Sequence, residues 1–164
     1  MSLTNYLADP RPYSAAKWTP KSDVLTVSRY DNDRLFLQTT RDSVDVYAYT
    51  RLTLPAGTYR FGAEISYPQV SYASNPLRFI RLNPMQEMLN ATWTGVHGRY
   101  VTGANTLTEQ TQVELRVMCG PQAHSQIWYR HLFLMTDDDY QTMRDEAIEW
   151  FCGDEYESGG GASS

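Results

Sequence analysis

The stretch Val44-Asp-Val-Tyr-Ala-Tyr-Thr-Arg-Leu-Thr-Leu-Pro-Ala-Gly-Thr-Tyr-Arg-Phe-Gly-Ala-Glu-Ile65 decides the fold. On its first arm Val44, Val46, Ala48, Thr50, Leu52 and Leu54 share one phase, and Asp45, Tyr47, Tyr49, Arg51 and Thr53 the other. On its second arm Tyr59, Phe61, Ala63 and Ile65 alternate with Thr58, Arg60, Gly62 and Glu64. Period-two alternation of this kind marks strands with one buried face. Between the arms, Pro55 presets its φ and Gly57 is able to take the positive φ of a tight turn, so the stretch predicts an antiparallel hairpin.

Working outward, alternating runs bounded by turn residues predict strands near Val24–Arg29, Arg34–Thr39, Leu77–Leu82, Gly98–Gly103, Thr111–Cys119 and Ser125–Met135. With the two central arms this makes an all-β antiparallel sandwich, a jelly roll of about eight or nine strands over residues 1–135. Segment 83–98 is the least regular part. A single amphipathic helix is predicted over 136–153: Thr136 with Asp139 resembles a capping box, and Tyr140, Met143, Ala147, Ile148 and Phe151 recur at helical spacing. Gly153 is its expected C′ residue, and 154–164 is an acidic, then Gly/Ser-rich tail.

Composition narrows the function. The formal charge is −5 and no run of basic residues exceeds two, which speaks against nucleic acid and anionic membranes as partners. No apolar run approaches the ~20 residues of a membrane-spanning helix, and the first residues lack the pattern of a secretory signal. Two separated cysteines, Cys119 and Cys152, read as buried thiols rather than a disulfide framework, with a bridge between the two as the alternative. Twelve tyrosines suit strands and contact surfaces.

Catalytic chemistry has little to stand on. His97, His124 and His131 show no metal-ligand spacing, so neither a metal nor a cofactor is expected, and His131 is read as a packed strand imidazole between Tyr129 and Phe133. Nothing resembles a nucleophile elbow. Glu64 and Glu114 are the one carboxylate pair worth weighing for glycosidase chemistry. Arg60 and Arg116 fall beside them in the alternation, which predicts ion pairs, and the chain is expected not to be an enzyme. Asp31-Asn32-Asp33 offers oxygen ligands for calcium but reads as a hairpin connection.

The surface with chemical promise is aromatic. Tyr47, Tyr49 and Trp128 take the non-core phase of their strands, together with Arg51, Arg116 and Arg130. Rings flanked by guanidinium groups grip sugars, and they are equally the residues favoured at protein interfaces.

Three segments resemble the galactose-binding-like jelly rolls of carbohydrate-binding modules and phage tail proteins. Asn5-Tyr-Leu-Ala-Asp-Pro10 with Trp18 is similar to the family's opening, and Leu54–Ile65 to its central hairpin. Val113–Val117 with Ile127–Leu134 is similar to its closing strand pair. The resemblance covers about residues 5–135 and departs at segment 83–97 and at the added helix. It implies a non-enzymatic phage or prophage virion protein, tail-associated or head-decorating, assembled in the host cytoplasm. Its expected partners are other virion proteins and copies of itself, with residues 137–164 as docking elements. The alternative it implies is a glycan-binding module that recognises a cell-surface polysaccharide through the six aromatic and arginine residues above.

Overall fold

The computed structural model describes residues 2–7, 15–31, 33–150, 156–157 and 161–162. In chain order the strands are β1 (Ser2–Leu3), β2 (Thr19–Pro20), β3 (Leu25–Tyr30), β4 (Arg34–Thr39), β5 (Tyr47–Leu54), β6 (Gly57–Ile65) and β7 (Leu77–Arg81). They continue with β8 (Gln86–Glu87), β9 (Gly98–Val101), β10 (Asn105–Leu107), β11 (Thr111–Met118) and β12 (Gln126–Thr136). The helix α1 (Asp137–Asp145) follows directly, then two-residue strands β13 (Tyr156–Glu157) and β14 (Gly161–Ala162), which extend from β1.

Two antiparallel sheets form the sandwich. One runs β10-β6-β12-β4-β3 with β9 also paired to β6; the other runs β2-β5-β11-β7-β8. Between them lies one large core, built around Tyr59, Phe61, Phe79, Leu115 and Tyr129. Trp18 is buried in it and stacks on Phe61 at 6.3 Å, so the expected anchoring aromatic is a core residue. Asn5 ties the N-terminal segment down: its side chain donates to the Leu132 carbonyl and accepts from the Leu134 amide.

The central stretch departs from the expected hairpin. β5 pairs with β11 and β2, β6 pairs with β12, β9 and β10, and the two arms lie in different sheets. Their predicted buried phases are nevertheless the buried ones, Ala48 and Leu54 on β5 and Tyr59, Phe61, Ala63 and Ile65 on β6. The turn is an arch that carries the chain from one layer to the other. A two-residue hairpin turn needs positive φ, and no residue of 55–57 adopts it. Instead the Tyr59 hydroxyl donates to the Pro55 carbonyl at 2.8 Å and braces the crossing. Alternation reports which phase is buried; it is blind to whether the buried phases lie side by side or face to face.

A bulge in β12 sets the other layer. Its register on β6 shifts between Arg130 and Phe133. Before the shift Ile127 and Tyr129 point into the core, and after it Leu132 and Leu134 do. Phe133 and Met135 are thereby turned to the outer face, where they pack with Leu3, Tyr140 and Met143. Gly62 lies opposite Phe133, and a Cβ there would come within 2.1 Å of the Phe133 ring. The bulge also corrects the reading of His131 as sharing one face with Tyr129 and Phe133: His131 takes φ +51° within it and lies on the outer side with Glu64, while Tyr129 points into the core.

The helix begins as predicted, with the Thr136 hydroxyl accepting from the Asp139 amide at 3.2 Å. It is shorter than the expected 136–153. Ala147 takes φ +54°, Ala147 N–H donates to Arg144 and Ile148 N–H to Met143, which is a Schellman ending. Phe151, Cys152 and Gly153 and most of the tail lie outside the described residues. Tyr140 and Met143 pack the helix's apolar side against the chain's own sheet. Cys119 is a buried free thiol whose pKa is raised by burial. No helix among the described residues is long and apolar enough to cross a membrane.

Candidate functional site

The outer face of the five-stranded sheet carries a polar network around one buried carboxylate. Alternation on β5 turns Tyr47, Tyr49 and Arg51 outward, and the register places Arg51 opposite Glu114, Tyr49 opposite Arg116 and Tyr47 opposite Met118 on β11. Glu114 is only 2% exposed although it points away from the core. Arg51 Nε donates to one of its oxygens at 2.8 Å and Arg116 Nε to the other at 2.6 Å. Charge-assisted hydrogen bonds at both oxygens are what make a carboxylate tolerable at that burial.

Those two arginines in turn fix the tyrosines. The Arg116 guanidinium lies 4.2 Å from the Tyr47 ring centroid and that of Arg51 lies 5.2 Å from Tyr49. The Tyr47 and Tyr49 rings are 6.2 Å apart and tilted by 60°. Lys21 reaches the Tyr47 ring at 5.8 Å from β2's side of the sheet. Beyond Arg116, Arg78 on β7 sits 3.5 Å from Glu87 and 3.8 Å from Asp45. A depression of about 180 Å³, lined by Asp45, Tyr72, Arg78 and Met118 among others, adjoins this end of the network. The result is a half-buried pair of phenol rings held by cations that are themselves held by an anion.

Four of the six expected site residues, Tyr47, Tyr49, Arg51 and Arg116, thus come together. Trp128 and Arg130 do not join them; they sit on β12, on the outer face of the other sheet. Trp128 packs there against Phe36 at 5.2 Å and Tyr30 at 6.2 Å. Arg130 donates to Glu64 at 2.8 Å. Glu64, held by Arg130, and Glu114, held by Arg51 and Arg116, therefore stand in different sheets and cannot flank one scissile bond. The partner expected for Glu64, Arg60, bonds Asp137 instead at 2.5 Å.

No family model matches the chain, and no curated protein matches it in sequence. Solved structures do match. A family 61 carbohydrate-binding module, solved in complex with beta-1,4-galactotriose, aligns at 13% identity over 81% of this chain and 99% of that one, with a TM-score of 0.51. The enzymatically active domain of tailspike protein 4 from bacteriophage CBA120 aligns at 14% identity over 81% of this chain and 21% of that one, with a TM-score of 0.53. A family 29 carbohydrate-binding module in complex with mannohexaose aligns at 10% identity over 85% and 94%, with a TM-score of 0.48.

The fold is a jelly roll of the kind seen in the family 61 module and the tailspike domain.

Within that jelly roll, the ion pair expected between Glu114 and Arg116 forms, and the place of Glu114 directly opposite Arg51 makes it the anchor of the aromatic face as well. Sequence reasoning missed two contributors to that face: Lys21, just after β2, and Arg78 on β7 come from segments whose pairing to β5 and β11 has no local signal. A second polar group was missed entirely. Glu64, His131 and Glu149 place one ligating atom each within 4.8 Å of one another on the outer face of the six-stranded sheet. Burial works against the Glu64 carboxylate, but Arg130's hydrogen bond and the charges of Arg130, His131 and His97 outweigh it and lower its pKa. Burial lowers the pKa of His131, so its imidazole is neutral at neutral pH.

Proposed function

We propose that this jelly roll is a non-catalytic recognition domain that grips a glycan across the outer face of its five-stranded sheet. One observation carries the reading: the Glu114-centred arginine pair that holds Tyr47 and Tyr49 in fixed orientation. Sugar rings present C–H groups on their faces and hydroxyls on their edges. Aromatic surface bordered by N–H and O–H donors matches both, and binding is tightest where those groups need not be ordered on contact. Tyr47, Tyr49, Arg51 and Arg116 supply this, and the helix lies against the opposite sheet. A family 61 module of similar fold is solved with beta-1,4-galactotriose, which supports the reading without assigning residues here.

A second reading, a phage or prophage virion protein acting through protein contacts, is favoured by the tailspike likeness and by the aromatic group Tyr30, Phe36 and Trp128 on the other sheet, where Tyr30 is 51% exposed. The two readings are separable because their residues lie on opposite faces. On an array of bacterial surface polysaccharides the protein should give signals that Tyr47→Ala and Tyr49→Ala remove and Trp128→Ala leaves intact. Silence across the array, with particle assembly lost in Trp128→Ala, would replace the first reading by the second.

A further inference from the structure

We propose that Glu64, His131 and Glu149 form a binding site for a divalent metal ion of the zinc class, built on the β12 bulge and separate from the aromatic face.

The ligand atoms are spaced for it. His131 Nδ1 stands 3.2 Å from a Glu64 oxygen and 3.9 Å from a Glu149 oxygen. Ligands about 2.1 Å from a tetrahedral ion lie about 3.4 Å from one another, so an ion fits among these three with small side-chain adjustments. The Nδ1 atom is fully buried and makes no hydrogen bond, an unusual condition for an imidazole nitrogen beside carboxylates. An ion coordinated there would satisfy it.

The surroundings are those of a metal-binding histidine. His131 Nε2, the nitrogen left over, faces Asp33 Oδ2 at 3.9 Å, the kind of carboxylate that orients a ligating imidazole. The other Glu64 oxygen accepts from Arg130 at 2.8 Å, which leaves its facing oxygen for the ion. Trp150 stacks on the imidazole at 4.9 Å and 15°, fixed by its own donation to the Leu132 carbonyl at 2.9 Å. The bulge that gives His131 its positive φ is what aims the ring into this group. Three carboxylates, Glu64, Glu149 and Asp33, against two guanidinium groups, Arg130 on Glu64 and Arg99 on the Glu149 carbonyl, leave the site net negative, suited to a dication. A mixed nitrogen and oxygen donor set favours zinc and its neighbours over calcium and magnesium, which take oxygen ligands.

The test is a calorimetric zinc titration of the whole chain after dialysis against a chelator, with Co²⁺ absorption as the geometric readout. The expected result is one zinc per chain, a visible Co²⁺ band, and affinity weakened about tenfold or more by His131→Ala and by Glu149→Gln. His124→Ala, in an exposed loop, should leave both unchanged. Glu149 is 77% exposed, so its variant remains folded and carries the test if His131→Ala does not. No zinc uptake, or uptake that Glu149→Gln and every foldable His131 variant leave unaltered, overturns the proposal.

Discussion

Glu114 holds more of the candidate site than any other side chain. Its two oxygens are taken by Arg51 and Arg116, and through them it orients both tyrosines. Glu114→Gln keeps the shape and removes the charge, leaving two guanidinium groups around a neutral amide. Arg51 is half exposed and recovers hydration, whereas Arg116 is mostly buried and does not. The expected cost is about 1–3 kcal/mol, read as a lowered urea midpoint. An unchanged midpoint would show that the network contributes nothing to folding. At this scale the sequence is legible in part: the outward phase of Tyr47, Tyr49, Arg51 and Arg116 follows from alternation. Alternation also sets Arg116 beside Glu114; what it lacks is the cross-strand register, which adds Arg51 and makes Glu114 their common partner.

Among the elements, the helix and the bulge show opposite degrees of legibility. The start of α1 is written locally, in Thr136 and the three aspartates behind it, and forms where expected. Its end is not, because a Schellman turn at Ala147 uses no glycine to announce itself. The helix is also fastened electrostatically. The Arg60 hydrogen bond, against a burial effect of opposite sign and with help from Gln141, Arg60 and Arg144, holds the Asp137 pKa below its ordinary 3.8. A carboxylate with a depressed folded-state pKa stabilises the fold above its unfolded pKa, and that stabilisation disappears as pH falls through the folded value. Asp137→Asn should therefore be less stable than the parent at neutral pH, with the gap closing as the pH falls through and below the ordinary carboxylate range. Thermal melts across that range measure it, and a gap independent of pH would exclude the ion pair as its source. The β12 bulge, by contrast, has no signature in the sequence. It reverses the alternation partway along an apolar run, and the reading of His131 failed there because a one-residue slip exchanges inside for outside.

Over the whole molecule, the layer count, the buried phases and the closing helix are readable from period and turn residues, since each is a local consequence of burial. The arch at Pro55–Gly57 is not, and it matters most for function. By sending β5 and β6 into different sheets it places Tyr47 and Tyr49 on one side of the protein and Glu64, Trp128, Arg130 and His131 on the other. A set that reads as one aromatic and arginine surface in sequence is two surfaces in space. The proposed glycan-binding surface is the outer face of the five-stranded sheet. Backbone amide shifts recorded while the labelled protein is titrated with a polysaccharide that it retains on an array test this most directly. The predicted result is a set of perturbed amides confined to β5, β11 and β7 around Tyr47, Tyr49 and Arg116. Perturbations centred on β12 and β4 around Trp128 would contradict it.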